Sequence, residues 1–131
     1  FALPETEQGI IPAIASIVLP RVVPRRRAME WILTGNTIDV QQLYADGLVN
    51  RVFPADQFEE GLNEFVGALA AKSAPVLQLA KRAQSEAYYS TYEEALYKVQ
   101  NIYLRELIEL EDVQEGVRAN LEGRVAKWQH R

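Results

Sequence analysis

Apolar residues recur every three or four positions along most of the chain, which is the period of a helix with one buried face. Two stretches depart from this period. Residues 1–3 read as the end of a strand that Pro4 stops, and residues 48–53 read as a second short strand. The pattern therefore predicts a mostly α chain that keeps two short strand remnants.

Prolines, glycines and capping signals divide the first third of the chain into short helices. Pro12 suits the start of an apolar helix, which Pro20 and Pro24 then close. A second helix is predicted over residues 25–33 and ends at a turn that contains glycine. Asp39, with a glutamine three residues later, predicts the start of a third helix that runs to the next glycine.

Four longer helices are predicted to follow, each with its own apolar stripe. Capping signals place the starts of the first three near Asp56, at Ser73, and at Ser90 three residues before Glu93. The stripe of the third is long and wide, which fits either a subunit interface or packing among the chain's own helices. The stripes are Phe58, Leu62, Phe65, Val66 and Leu69; Val76, Leu79, Ala80, Ala83 and Ala87; Tyr92, Ala95, Leu96, Val99, Ile102, Tyr103 and Leu110; and Val113, Val117, Leu121, Val125 and Trp128.

Composition narrows the possible chemistry. The 131 residues carry 14 basic and 18 acidic side chains, a net charge of -4, so no nucleic-acid partner is expected. No cysteine is present and the single histidine, His130, lies next to the end, so no metal site is expected.

No apolar run approaches the ~20 residues of a membrane span, and the lack of cysteine suits the cytoplasm. The start at Phe1 predicts a fragment of a larger enzyme.

Carboxylates are the main candidates for acid-base chemistry. Glu5 follows a rigid proline and has apolar residues on both sides. A carboxyl held against an apolar wall favours its protonated form, which a general acid needs near neutral pH. A surface glutamate in a turn is the alternative, and Glu7 competes for the role. The acidic run at Glu106, Glu109, Glu111, Asp112 and Glu115 is interpreted as a solvated helix face.

Two basic groups could attract phosphate. The first is the arginine cluster within residues 21–27, and the second comprises Arg124 and Lys127 near the end of the chain. For both, a solvated face or salt bridges to the acidic helices is the alternative interpretation.

Several short segments, taken in order, carry a family resemblance. They are Phe1-Ala2-Leu3-Pro4-Glu5, Gly9-Ile10-Ile11-Pro12, Leu33-Thr34-Gly35, Ala45-Asp46-Gly47-Leu48-Val49-Asn50, Glu115-Gly116 and Leu121-Glu122-Gly123-Arg124. The ordered set resembles the crotonase (enoyl-CoA hydratase/isomerase) superfamily over essentially the whole chain.

The resemblance implies a fold, an assembly and a substrate. The chain would be the mostly α, C-terminal helical region of an α/β fold built as a spiral of β-β-α units. Residues 1–55 would end the spiral core, and residues 56–131 would form a helical oligomerisation region that builds homotrimers or hexamers. The substrate would be an acyl-CoA thioester, with no cofactor beyond the CoA of the substrate itself.

The resemblance also implies a reaction. Hydratases of this superfamily add water across an α,β-unsaturated acyl-CoA, and the second of their two glutamates falls on Glu5, which would protonate the α-carbon. The oxyanion hole and the first glutamate would lie upstream of Phe1. An isomerase, C–C hydrolase or decarboxylase of the same fold is the first alternative, and a non-catalytic oligomerisation module is the second.

Two departures from the family pattern bear on ligand binding. Where hydratases carry a glycine-rich run near the acyl pocket, this chain has a bulkier apolar run that begins Ile11, Pro12, Ala13 and Ile14, so the acyl group is expected to be atypical, as for a cyclic dienoyl-CoA. The family's C-terminal lysine for CoA aligns with Gly123. Arg124 or Lys127 would substitute for it.

Overall fold

Seven α-helices make up most of the structure, a computed structural model that describes residues 1–131. The chain divides into two compact units, Phe1–Phe58 and Glu59–Arg131. No helix combines the length and the apolar content that crossing a bilayer demands. The helices are α1 (Ala13–Val22), α2 (Arg25–Thr34), α3 (Val40–Ala45), α4 (Phe58–Ala70), α5 (Ala74–Tyr88), α6 (Tyr92–Arg105) and α7 (Glu111–Glu122), with 3₁₀ turns at Pro4–Gln8, Ala55–Gln57 and Leu107–Glu109.

The mostly helical architecture confirms the prediction, but neither of the two predicted strand remnants, residues 1–3 and 48–53, forms a strand. A strand needs a neighbouring ladder of backbone donors and acceptors. Phe1 finds only one such partner: it accepts from the amide of Ile38 at 2.8 Å, and its amino group donates to the Ile38 carbonyl at 3.2 Å. The second stretch instead begins by turning back to donate to the carbonyl of Leu43 at the end of α3.

A small apolar core holds the first unit together. Ala28 and Trp31 lie three residues apart on α2, so both face the same side of the helix and both are buried. The Phe1 ring meets Trp31 edge to face, with ring centroids 6.3 Å apart, and so ties the start of the chain to this core. The buried members are Leu3, Leu19, Val23, Ala28, Trp31, Ile38 and Leu43.

Prolines bound the first helices slightly differently from the prediction. Pro12 is the N-cap of α1 rather than its first helical residue, and Pro20 lies inside α1 instead of closing it. Since Pro20 falls in the last turn, the loss of one backbone donor does not stop the helix before Val22. Pro24 is the N-cap of α2 and separates it from α1, as predicted.

In the second unit, α5 and α6 pack against each other, and α6 begins one residue later than predicted. The capping box is formed by Thr91 and Glu94, not by Ser90 and Glu93. The Thr91 hydroxyl accepts from the Glu94 amide at 3.4 Å, and the Glu94 carboxylate accepts from the Thr91 amide at 3.0 Å. Ser90 lies just after α5, and its hydroxyl donates to the Glu86 carbonyl of that helix at 2.8 Å. Leu110, placed by its spacing on the stripe of α6, lies after the end of that helix and is the N-cap of α7.

The last helix is shorter than its apolar spacing predicts. α7 ends at Glu122 because Gly123 adopts φ +65°, a left-handed conformation that favours glycine. Residues 124–131 therefore form a non-helical tail, and Trp128 is not part of a helical stripe. Its indole N–H donates to the Ala71 carbonyl at 2.8 Å, and its ring lies so close to Gly116 that a Cβ there would approach it to 3.3 Å.

Candidate functional site

Glu5 lies on a short 3₁₀ turn that two hydrogen bonds close. Pro4 begins the turn with φ already restricted to helical values. Gly9 ends it at φ +74°, and its amide donates to the Thr6 carbonyl at 3.2 Å, while the Ile10 amide donates to the Glu5 carbonyl at 3.0 Å. The predicted turn is confirmed, and it fixes the backbone from which the Glu5 carboxyl projects.

Two side-chain oxygens of this turn are buried without any hydrogen-bond partner in the chain. They are Oε2 of Glu5 and the hydroxyl Oγ1 of Thr6, and both residues are half-buried. Buried polar atoms in native proteins are almost always paired, so each exception points to strain, to function or to a partner outside the chain. Sequence reasoning singled out Glu5 but missed Thr6, because a threonine after the candidate acid carries no signal of burial.

The competing carboxylate, Glu7, occupies a different environment. Its Cγ and Oε1 lie beside Gly35, where an added Cβ would approach them to 3.3 and 3.4 Å. Gly35 is the C-cap of α2 at φ +65°. Glu7 therefore covers the end of α2 and is exposed, whereas Glu5 keeps one oxygen buried and unpaired.

The predicted acyl-pocket wall is an open surface in this structure. Of its four residues, only Pro12 is buried; Ala13 is exposed, and Ile11 and Ile14 are 75% and 74% exposed. α1 packs its other side on the core, through Leu19. The wall residues therefore form an exposed apolar patch that follows the Glu5 turn in the chain rather than an enclosed pocket.

The arginine cluster that precedes and begins α2 is divided between paired and solvated groups. Arg27 donates to Glu30 at 3.0 Å and lies 3.5 Å from Asp46, and these two carboxylates raise its pKa. Arg25 and Arg26 are exposed at the start of the helix. No carboxylate lies within salt-bridge distance of Arg25 or Arg26.

The predicted CoA-binding residues meet in one cleft of the second unit. The cleft has a volume of about 680 Å³ and lies between α7 and the tail that follows it. Its lining combines three basic and two acidic side chains with two glutamines: Glu111, Gln114, Glu115, Arg118, Arg124, Lys127 and Gln129.

Arg124 is held by carboxylates of its own chain. It binds Glu115 through two parallel hydrogen bonds of 2.6 and 2.9 Å, and its Nε donates to Glu122 at 2.5 Å. The hydrogen bonds from the Arg124 side chain have the largest effect on the pKa of Glu115, and the Lys127 amide at 2.8 Å has the next largest. Together they lower that pKa to about 2. Arg124 therefore organises the cleft, and its charge is already balanced.

Lys127 and Arg118 are the cations of the cleft whose side chains enter no salt bridge. Glu115 accepts the backbone amide of Lys127, not its ammonium group. Arg118 was not predicted from sequence, although its spacing from the two acidic residues was a usable signal. Arg118 follows Glu115 by three residues and Glu111 by seven, so the three share one face of α7.

Asp112 contradicts the interpretation of the acidic run as a solvated face, because it is only 1% exposed. Burial alone would raise its pKa, but hydrogen bonds from the Ser73 hydroxyl and from the amides of Gln129 and His130 outweigh that effect and lower the pKa. The two amide bonds measure 2.7 and 3.0 Å. His130 then accepts from the Ala74 amide at 3.2 Å, so the tail also caps the start of α5.

Comparisons with known proteins agree on one family. The profile described as enoyl-CoA hydratase/isomerase matches residues 1–131. The chain is 32% identical over 132 residues to a probable enoyl-CoA hydratase of Mycobacterium bovis, covering 100% of this chain and 51% of that protein. It is 38% identical over 91 residues to a 4-chlorobenzoyl coenzyme A dehalogenase of Arthrobacter, covering 69% of this chain and 33% of that protein.

Solved structures extend the likeness to the fold. Subunit I of an enoyl-CoA hydratase from Geobacillus kaustophilus superposes with a TM-score of 0.92 at 29% identity. The match covers 100% of this chain and 51% of that structure. The chain thus spans about half the length of the relatives it matches.

Proposed function

Because the chain belongs to the enoyl-CoA hydratase/isomerase family, we propose that it supplies the general acid of an enzyme that adds water across an α,β-unsaturated acyl-CoA. Glu5 is the acid in this proposal. In the forward direction the oxygen of water bonds to the β-carbon while a second carboxylate takes the proton that water releases, and Glu5 delivers a proton to the α-carbon. In dehydration Glu5 takes that proton back, and water leaves from the β-carbon.

The unpaired, buried Oε2 of Glu5 is the observation that carries this proposal. If stability alone determined this turn, such an oxygen would be paired or exposed, because a buried polar atom without a partner lowers the free energy of unfolding. The turn that presents it is held by Pro4 and by hydrogen bonds to Glu5 and Thr6 carbonyls. A carboxyl on a rigid turn, with neither oxygen held by a hydrogen bond from the chain, suits proton transfer to a bound substrate.

The remaining parts of the mechanism are assigned to residues outside this chain. The reaction needs donors for the thioester oxyanion and a second carboxylate that acts on the attacking water. Within the family resemblance these are two backbone N–H groups and a glutamate upstream of Phe1. This assignment agrees with the fact that the chain spans about half of its relatives.

The exposed isoleucines of α1 and of the segment before it are proposed to contact the acyl group. Ile11 and Ile14 present branched apolar surface, which favours an apolar acyl chain over a polar one. Bulk at these positions would also limit the shape of the acyl group that fits. A bulky or cyclic unsaturated acyl-CoA is therefore the preferred candidate substrate.

The cleft beside α7 is proposed to bind the phosphates of CoA. Lys127 and Arg118 are its cations without salt bridges, and Arg124 is held in place beside them by Glu115. Of the two residues predicted from sequence, Lys127 is therefore the direct ligand, and Arg124 has the supporting role.

Self-association through the second unit is also proposed. α4 contains no buried residue, and its apolar stripe of Phe58, Leu62, Phe65, Val66 and Leu69 is exposed along its length. Contiguous apolar surface on a protein commonly marks an interaction site. A homotrimer or hexamer would cover it.

A different reaction on the same fold is the second candidate function. The 38% identity to a dehalogenase over 91 residues favours keeping it open, because that relative acts on a CoA thioester without being named a hydratase. An isomerase, a C–C hydrolase or a decarboxylase would use the same turn with another partner residue.

Mass spectrometry of the products separates these reactions. The full-length gene product is incubated with crotonyl-CoA and with cyclic enoyl-CoA thioesters. Hydration predicts a mass gain of one water without a new acid group, and isomerisation predicts no change of mass. Ring-opening C–C hydrolysis predicts the same gain of one water together with a new carboxylate, and decarboxylation of a carboxylated acyl-CoA predicts loss of CO₂. Residues 1–131 alone are expected to show no turnover. Absence of the hydrated product from every substrate would contradict the proposal, as would turnover by residues 1–131 alone.

A further inference from the structure

The two oxygens of the Glu5 carboxyl differ in this structure. Oε2 is buried, and neither oxygen accepts a hydrogen bond from the chain. Oε1 is not among the buried, unpaired atoms, and the residue as a whole is half-buried. The two oxygens are therefore not equivalent, and Oε2 is the one that needs a partner.

The Thr6 hydroxyl is the polar group next to the buried oxygen in the chain. It is itself buried and unpaired, and the Cα atoms of consecutive residues lie only about 3.8 Å apart. A hydroxyl both donates and accepts, so it can pair with Oε2 whether the carboxyl carries its proton or not. Side chains of consecutive residues in a helical turn do not face each other, so pairing of these two atoms requires both side chains to rotate from the positions seen here.

We propose that Thr6 is a positioning residue for Glu5: its hydroxyl pairs with Oε2 in the substrate complex, fixes the plane of the carboxyl, and leaves Oε1 as the oxygen that exchanges the proton. This inference rests on the proposed function. Hydrogen bonds at active sites are often unformed without substrate and tighten only in the complex. The turn hydrogen bonds to the carbonyls of Glu5 and Thr6 keep the two backbones fixed while the side chains rotate.

The test compares Thr6→Val, which removes the hydroxyl at nearly constant shape, with Thr6→Ser, which keeps it. In the full-length gene product, Thr6→Val is expected to lower kcat for hydration about tenfold, the effect of one hydrogen bond, with little change of KM. Thr6→Ser should retain most of the rate. Thr37→Val, at an exposed threonine of the same unit, is the matched control and should change neither constant.

Thermal unfolding separates positioning from a structural role. Since the hydroxyl has no partner in the chain, Thr6→Val should leave Tm unchanged or raise it. A lower Tm together with the lower kcat would overturn the inference, and so would a wild-type kcat for Thr6→Val or an equal loss for Thr6→Ser. If Glu5→Gln keeps full activity, the proposed function fails. If Glu5→Gln is inactive and Thr6→Val is normal, only this inference fails.

Discussion

At the scale of single residues, the carboxylates of α7 depart furthest from what their sequence context indicates. Asp112 and Glu115 belong to an acidic run typical of a solvated surface, yet both accept hydrogen bonds from the tail that follows the helix. Asp112 accepts from the backbone amides of Gln129 and His130, and Glu115 accepts from the Lys127 amide in addition to the Arg124 side chain. Backbone amides carry no sequence signal, so the pairing becomes visible only when the path of the tail is known.

The Glu115 pairing predicts a specific loss of stability in acid. Its pKa falls from 4.5 to about 2 on folding. Above pH 4.5 both the folded and the unfolded carboxyl are ionised, and the full stabilisation is present. Below 4.5 the unfolded chain binds the proton first, so the stabilisation is lost as the pH falls towards 2.

Chemical denaturation at pH 7 and at pH 3 measures this effect. Glu115→Gln is expected to destabilise the chain at pH 7 and to reduce the difference in unfolding free energy between the two pH values. Glu60→Gln removes an exposed carboxylate of α4 without a salt bridge and serves as the control. An unchanged pH dependence in Glu115→Gln would contradict the assignment.

At the scale of elements, capping residues were predictable at starts and at ends, except where an apolar spacing continued past them. Gly35 and Gly123 end α2 and α7 because a left-handed residue there suits glycine, and Asp39 caps α3 by accepting from the Gln42 amide at 2.9 Å. In α7, however, the stop signal of Gly123 conflicted with an apolar spacing that continued to Trp128. The spacing was misleading there because Trp128 packs from an extended tail and not from a helix.

The capping box of α6 gives a matched test at this scale. The sequence Ser90-Thr91 before Glu93-Glu94 fits two frames that differ by one residue, and a helical stripe does not discriminate between them. Thr91→Ala is expected to lower the unfolding free energy by about 1 kcal/mol through loss of the cap. Ser90→Ala should have the smaller effect in the same denaturation experiment. The reverse order would mean that the helix begins in the other frame.

At the scale of the whole molecule, the family and the helical fold could be predicted from sequence, but the absence of strands at residues 1–3 and 48–53 could not. A strand depends on its neighbours, and residues 48–53 find none in this chain. The wall around Ile11 and Ile14 is likewise open. A local sequence pattern predicts the type of an element but not the neighbouring surface against which that element packs.

Self-association is the prediction that belongs to this scale. Leu69→Glu places a charge in the exposed apolar stripe of α4 and is expected to reduce the molar mass of the full-length product in light scattering. Asn63→Glu adds the same charge outside the stripe and should leave the mass unchanged. A product of monomer mass without any substitution, or an intact oligomer in Leu69→Glu, would contradict the proposed interface.

Glu5, and not Glu7, is the proposed proton donor, because of the two glutamates on the rigid turn only Glu5 keeps a buried, unpaired oxygen. The most direct measurement is kcat for crotonyl-CoA hydration by Glu5→Gln and Glu7→Gln in the full-length gene product. We expect Glu5→Gln to lose at least about 100-fold in rate with an unchanged Tm, as removal of a general acid implies, and Glu7→Gln to remain near the wild-type rate. Near-normal turnover by Glu5→Gln, or an equal loss in Glu7→Gln, would contradict the account.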